Sequence, residues 1–214
     1  MSVKHSIVAA STMLVVVTAC VNPCEQRVYT SDSLFAYIET GKTEKAKARY
    51  EQGESVYDEC LGSLYHAAAR TENQGTINFV KSLPIDLEYE NSSGYTAVFV
   101  ASGELLQYLI EKGADIHHVA KDGKTAVQLK LDYALWSQNE SDFNRHMNDL
   151  ECLIKAGCDL NKQMEGQTVL DTLVERSISQ KQVMLGHNVS RYHANASKAY
   201  DILRNMGAKT GAEL

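Results

Sequence analysis

Proline occurs only twice in these 214 residues, and no tract is low in complexity. That excludes proline-rich or polar linkers and leaves a chain able to fold along its length. Lysine and arginine number 21 against 27 aspartates and glutamates, a net charge of −6 without any basic stripe. A surface that neutralises nucleic-acid phosphates is excluded on that ground. No apolar run reaches the roughly 20 residues needed to cross a bilayer core as a helix. With 44% hydrophobic and 22% charged residues, the composition is that of an ordinary globular chain. It allows one domain with a continuous core, or an elongated array of repeated units.

Signatures of chemistry are missing too. Gly41-Lys42-Thr43 and Gly123-Lys124-Thr125 imitate phosphate-binding loops, but a further glycine five residues earlier is required. Ala36 and His118 stand there instead. The pair His117-His118 diverges in extended backbone, and His187 with His193 has poor helical spacing for one metal ion. These read as solvated loop histidines. There is no Gly-x-Ser-x-Gly elbow and no cysteine with an evident histidine partner. The chain is read as non-catalytic, with no cofactor, no metal and no small-molecule substrate.

What is present begins at the N-terminus. Lys4 and His5 precede an apolar stretch, Ile7 to Val17, closed by Val17-Thr18-Ala19-Cys20. Eleven helical residues rise only about 16 Å, so a cleaved signal peptide over 1–19 is expected in place of a membrane span. Val17-Thr18-Ala19-Cys20 resembles the lipobox of bacterial lipoproteins, in which the cysteine is diacylated and becomes the new N-terminus. An ordinary signal peptide cut at the same small residues is the alternative. The resemblance implies a lipid anchor at Cys20 and, with Val21 and not aspartate next, the periplasmic face of the outer membrane. Loss of 1–19 removes Lys4 and no acid, leaving 20 basic against 27 acidic residues, net −7. Such a chain suits a basic partner or none.

If Cys20 carries lipid, Cys24, Cys60, Cys152 and Cys158 form an even set in an oxidising compartment. Three pairings are possible, and free buried thiols are the alternative.

Two phrases recur along the chain. One is an apolar helix end, a glycine, a small residue and an extended pair: Leu109 to Ile116, Leu153 to Leu160 and Ile202 to Lys209, with a weaker copy at Tyr50 to Val56. Glycine there takes the left-handed conformation that closes a helix. The other is a turn glycine followed by a capping threonine: Gly94-Tyr95-Thr96, Gly123-Lys124-Thr125 and Gly166-Gln167-Thr168. Ser63 to Ala69 is a looser copy, with serine in the threonine's place. The glycine phrase also gives the local cysteine pair an argument, since Cys152 in the last turn and Cys158 after Gly157 occupy positions that often touch. A disulfide forms there if the β-carbons come within about 4.5 Å. Cys24 with Cys60 would then tie the N-terminal segment to the second unit.

These phrases resemble the ankyrin repeat, of about 33 residues, in which two helices are followed by a projecting β-turn finger. His66-Ala67-Ala68-Ala69 matches the family's histidine with its alanines, and His66 is expected to be structural. The family's proline is replaced in every copy, by Leu64, Ala97, Ala126 or Val169. The likeness covers roughly residues 30 to 210. It implies an all-α solenoid of about five irregular repeats with short fingers, with residues 20–30 as a lipidated tether and 31–214 as the repeat domain. Ser63 to Thr96 spans 33 residues, Thr96 to Thr125 only 29, and Thr125 to Thr168 as many as 43. The shortening is expected at Ala101 to Glu104. The surplus is expected as polar loops, near Ser137 to Asp142 and, in the fifth unit, near Gly186 to Ser190.

The resemblance places a binding surface on the fingers and first helices: Tyr89, Ser92, Tyr95, His117, His118, Lys121, Lys124, Gln163, Met164 and Gln167. Tyrosines there are the natural anchors. With export, an anchor, a binding scaffold and no active site, the chain is similar to ankyrin-type lipoproteins serving as immunity proteins against type VI secretion phospholipase effectors. The expected partner is a secreted toxin protein. A housekeeping envelope scaffold is the alternative.

Overall fold

The computed structural model describes residues 24, 30–162, 166–183 and 187–214. The expected cleavage site, Cys20 and the candidate contacts Gln163 and Met164 lie outside the described residues, as does most of the expected 20–30 tether. Among the described residues the chain is helix-rich, with ten α-helices and one two-stranded sheet. In chain order these are α1 (Leu34–Glu39), α2 (Thr43–Glu51), β1 (Tyr57–Asp58), β2 (Gly62–Ser63), α3 (Leu64–Ala68), α4 (Gln74–Lys81), α5 (Ala97–Val100), α6 (Gly103–Glu111), α7 (Ala126–Trp136), α8 (Glu140–Lys155), α9 (Val169–Val183) and α10 (His187–Asn205). None of them is long and apolar enough to cross a membrane.

Helix starts follow from short polar side chains at the capping position. Ser33, Asn73, Thr125 and Asn139 each accept a hydrogen bond from a backbone N–H in the first turn of α1, α4, α7 and α8. Helix ends follow from the recurring glycine phrase, and four copies close alike. The amide after the glycine donates back five residues, Glu54 to Arg49 (3.2 Å), Ala114 to Leu109, Cys158 to Leu153 and Ala208 to Leu203 (3.0 Å each). Gly53, Gly113, Gly157 and Gly207 all have positive φ, which permits this bond without a Cβ penalty.

The helices pack as two rows. In one, α1 lies against α3, α3 against α5 and α5 against α7. In the other, α2 lies against α4 and α6 against α8. Apolar side chains between the rows form a continuous core from Leu34 and Ile38 through Leu64, Phe99, Leu109 and Leu150 to Leu203, all fully buried. Burying one such leucine stabilises the fold by about 1.5–3 kcal/mol. The last helix breaks the pattern, because α10 packs on both α9 and α7. Asn195 of α10, itself buried, donates to the carbonyls of Ala134, Leu135 and Ser137 at 3.2–3.3 Å. It caps the end of α7 from about 60 residues away.

The connection from α5 to α6 has a particular solution. Helix α5 has only four residues, so the Ala101 carbonyl and the Gly103 amide face the interior where another turn would have covered them. Lys130 of α7, wholly buried, donates to the Ala101 carbonyl and lies 3.4 Å from both Ser102 Oγ and Asp149 Oδ2. Asp149 of α8 accepts from the Gly103 amide at 2.9 Å. A buried ion pair thereby serves both backbone groups at the α5–α6 connection.

Three sequence expectations need correction, the first being the polar loop near Gly186 to Ser190, where residues 187–190 instead open α10. The surplus of the fourth unit is not a polar loop over Ser137 to Asp142. It lengthens α7 to 11 residues and α8 to 16, and only Ser137, Gln138 and Asn139 lie between them. The disulfide expected between Cys152 and Cys158 is absent, both being free thiols, while the expected bond of Cys24 to Cys60 is present. At the closing turn the backbone of Cys158 bonds Leu153. Its sulfur turns instead toward the Ile116 carbonyl, 3.4 Å away on an earlier turn, and burial pushes that thiol up to about 11.

Candidate binding groove

Three projecting turns stand side by side. The first is the β1–β2 hairpin, with Tyr57 opposite Ser63. Its turn is fixed by Asp58, whose carboxylate accepts from the amides of Cys60 and Leu61. The second is Asn91 to Tyr95, where the Asn91 side chain accepts from the amides of Ser93 and Tyr95. The third, Val119 to Thr125, is closed by the Ala120 amide donating to the Lys124 carbonyl.

Neighbouring turns are joined through their backbones. Ser92 donates through its amide and hydroxyl to the Cys60 carbonyl, and the Lys121 amide donates to the Ser93 carbonyl, each at 3.3 Å. Two histidines then hold the middle turn from either side. His66 Nε2 reaches the Tyr95 carbonyl at 2.8 Å, and His118 Nε2 reaches the Gly94 carbonyl at 2.9 Å. His66 Nδ1 meanwhile accepts from the Ser63 amide at 3.1 Å, which makes Nε2 the protonated nitrogen. Burial pushes the pKa of His66 below its ordinary value. Gly94 has φ +77°, and a Cβ there would lie 2.8 Å from the Lys121 amide nitrogen. Only glycine lets the second and third turns approach so closely.

Between these turns and the first row of helices lies a groove of about 370 Å³. Cys60 and Leu61 of the hairpin and Asn91 to Ser93 of the middle turn form one wall; Glu39, Val100 and Tyr133 come from α1, α5 and α7, and Arg70 from the turn after α3. Arg70, largely exposed, sits 3.2 Å from Glu39. Tyr133 is 39% exposed on α7, beside the largely buried pair of Lys124 with Asp132 (3.2 Å). The groove offers a guanidinium fork, a carboxylate, serine hydroxyls and an aromatic face, which suit hydrogen bonding to a protein chain. His66 also lines it, but both ring nitrogens are already engaged and it has no free basic site. Among the described residues no group of three or more histidine, cysteine, aspartate or glutamate side chains is placed to hold a metal ion.

The residues singled out from sequence fare unevenly. Tyr89 packs at a tilt against Tyr57 with ring centres 4.6 Å apart. Tyr95 stacks on Phe99 at 5.0 Å and donates to Asp122 at 2.7 Å; burial and that bond raise its phenol. His118 is not a solvated loop histidine, since it braces the middle turn. His117 is exposed. Lys121 donates to the Ser92 carbonyl, and Gln167 to Glu175. Most of the group therefore shapes the turns. The groove's distinctive side chains, Arg70, Glu39 and Tyr133, were missed because they sit outside both repeated phrases, Glu39 and Tyr133 on helices and Arg70 in the turn after α3. The sequence signal for Tyr133 is a polar-tipped aromatic within the apolar stretch Ala126 to Trp136.

No family model matches this chain, and no curated protein matches it in sequence.

Proposed function

We propose that this chain is a non-catalytic, protein-binding lipoprotein of the bacterial cell envelope, built as an ankyrin-type array of about five irregular repeats. The paired helices, the four alike helix ends and the row of projecting turns support the repeat reading. The N-terminal stretch ending at Cys20 supports lipid anchorage on the periplasmic face of the outer membrane. The observation that carries the binding reading is the groove, whose polar side chains and exposed Tyr133 are arranged for contact and leave no free acid–base pair. Repeat arrays use such extended faces to hold proteins.

The partner we propose is a toxin acting in the periplasm, of the phospholipase-effector kind, which this chain would neutralise by binding. The test is expression in a sensitive cell together with the toxin encoded nearest to it. Survival, co-purification, and a loss of affinity of at least tenfold in Arg70→Glu/Tyr133→Ala are expected. Unchanged survival with no co-purifying protein overturns the reading. A deletion phenotype without any toxin would turn it toward an envelope scaffold.

A further inference from the structure

The groove is balanced in charge but not in hydrogen-bonding capacity. Its charged side chains are Arg70 and Glu39, whose Nη1 and Oε1 lie 3.2 Å apart. The rest of the guanidinium, including the Nε–Nη2 edge that can grip a carboxylate bidentately, has no partner among the described residues. The same holds for the N–H groups of the Asn91 side chain, the Ser93 hydroxyl and the Tyr133 phenol. The carbonyls of the turns, by contrast, are already in use. That of Cys60 receives Ser92, that of Asn91 receives the Gly94 amide, and Lys121 donates to those of Ser92 and Ser93. An occupant that brings acceptors finds donors waiting. One that brings only donors finds the Glu39 carboxylate already held by Arg70. The charges around Tyr133 act in the same sense. Burial raises its phenol, and Arg70 and Lys124 each oppose that rise more strongly than Asp132 adds to it.

We propose that the groove takes an acidic segment of the partner protein, with one aspartate or glutamate carboxylate on the Arg70 fork beside Tyr133 and flanking peptide carbonyls on Asn91 and Ser93. The inference rests on the protein-binding reading of the groove. The chain's net charge of −6 points to a basic partner. Exposed charges more than about 8 Å apart are largely screened at physiological salt, however, so the groups inside the groove decide. Glu39 is the one acid lining it, and its pair with the exposed Arg70 is weak. Removing the Glu39 charge should strengthen the binding of an acidic segment and weaken that of a basic one, so the two kinds of partner predict opposite signs.

The experiment pans a random heptapeptide phage library against the immobilised full-length protein and measures the selected peptides by fluorescence anisotropy. An aspartate or glutamate at one fixed position is expected. Glu39→Gln should tighten binding about threefold, and Arg70→Met should weaken it about tenfold. Replacing the peptide's acid by its amide should also cost about tenfold, with nothing further lost against Arg70→Met. A basic or uncharged consensus, or weaker binding to Glu39→Gln, overturns the proposal; the protein-binding reading survives that result if Tyr133→Ala still weakens the peptide. No retained peptide, or peptides indifferent to both Arg70→Met and Tyr133→Ala, overturns the two together.

Discussion

Replacing Lys130 by methionine keeps the aliphatic stem and removes the ammonium. In the fold that ammonium has no exposure to water and serves the Ala101 carbonyl, Ser102 and Asp149. Its loss leaves the Asp149 carboxylate buried, with the Gly103 amide as its principal remaining donor. Breaking a buried pair from one side costs about 3–5 kcal/mol, mostly from the stranded charge. Asp149→Leu should cost a similar amount for the complementary reason. Lys130→Met/Asp149→Leu strands no charge; it only orphans the Ala101 carbonyl and the Gly103 amide, at about 1–3 kcal/mol each. The double variant should therefore be destabilised by about 2–6 kcal/mol in place of the about 6–10 that additivity demands, a coupling of about 4 kcal/mol. Urea unfolding at neutral pH, followed by far-ultraviolet circular dichroism, measures all four corners of the cycle. Additive losses, or a Lys130→Met cost below about 1 kcal/mol, would refute the idea that this pair serves the backbone at the α5–α6 connection.

Three further outcomes are expected. His146, whose Nδ1 is buried without a hydrogen-bond partner, has its pKa lowered from 6.5 to about 4 by desolvation, with Arg145 and Lys130 adding to the shift. The unfolded chain takes up that proton first, so its contribution to stability is intact above pH 6.5 and lost as pH falls toward 4. Between pH 7 and 4 the unaltered protein should lose about 3 kcal/mol more than His146→Leu, as read from denaturation midpoints at each pH. Gly94→Ala should cost about 2–4 kcal/mol, since it adds a backbone clash to the left-handed strain of about 1–2 kcal/mol. Gly53→Ala, with φ +85° and nothing within 4 Å of its Cβ, should show only the strain, and equal costs would contradict the close approach of the turns. Asn195→Ala removes the donor to three carbonyls at the end of α7; a loss of about 2–3 kcal/mol is expected, with faster hydrogen exchange localised to Ser137 and the first turn of α8.

Much of the local structure was legible because it depends on neighbouring residues. The glycine after Leu109-Ile110-Glu111-Lys112 and its three counterparts announces a helix end, since a positive φ and a backward hydrogen bond need nothing distant. Thr125 announces a helix start for the same reason, whereas Asn139, read from sequence as part of a loop, caps α8. What escaped depends on pairs far apart in sequence. Whether ten extra residues become loop or helix is decided by what covers the added turns, here Asn195 and the side of α10. Cys24 with Cys60 was among the pairings the sequence offered; that Cys152 and Cys158 stay apart depends on the Cys158 sulfur turning toward the distant Ile116 carbonyl. The groove mixes residues of α1, α3, α5 and α7 with two turns, so no single stretch displays it. One clue was available: Lys130 interrupts the apolar pattern Ala126, Val127, Leu129, Leu131, and a lysine on a buried face demands a buried acid.

The first-row helices α1, α3 and α5 have six, five and four residues, and the next, α7, has eleven. A chain lying along the short helices meets a stop where α7 rises with Tyr133 on its flank. Such a stop gives the groove a sense of direction. Whatever occupies it would be read from one end only, with its register counted from that tyrosine.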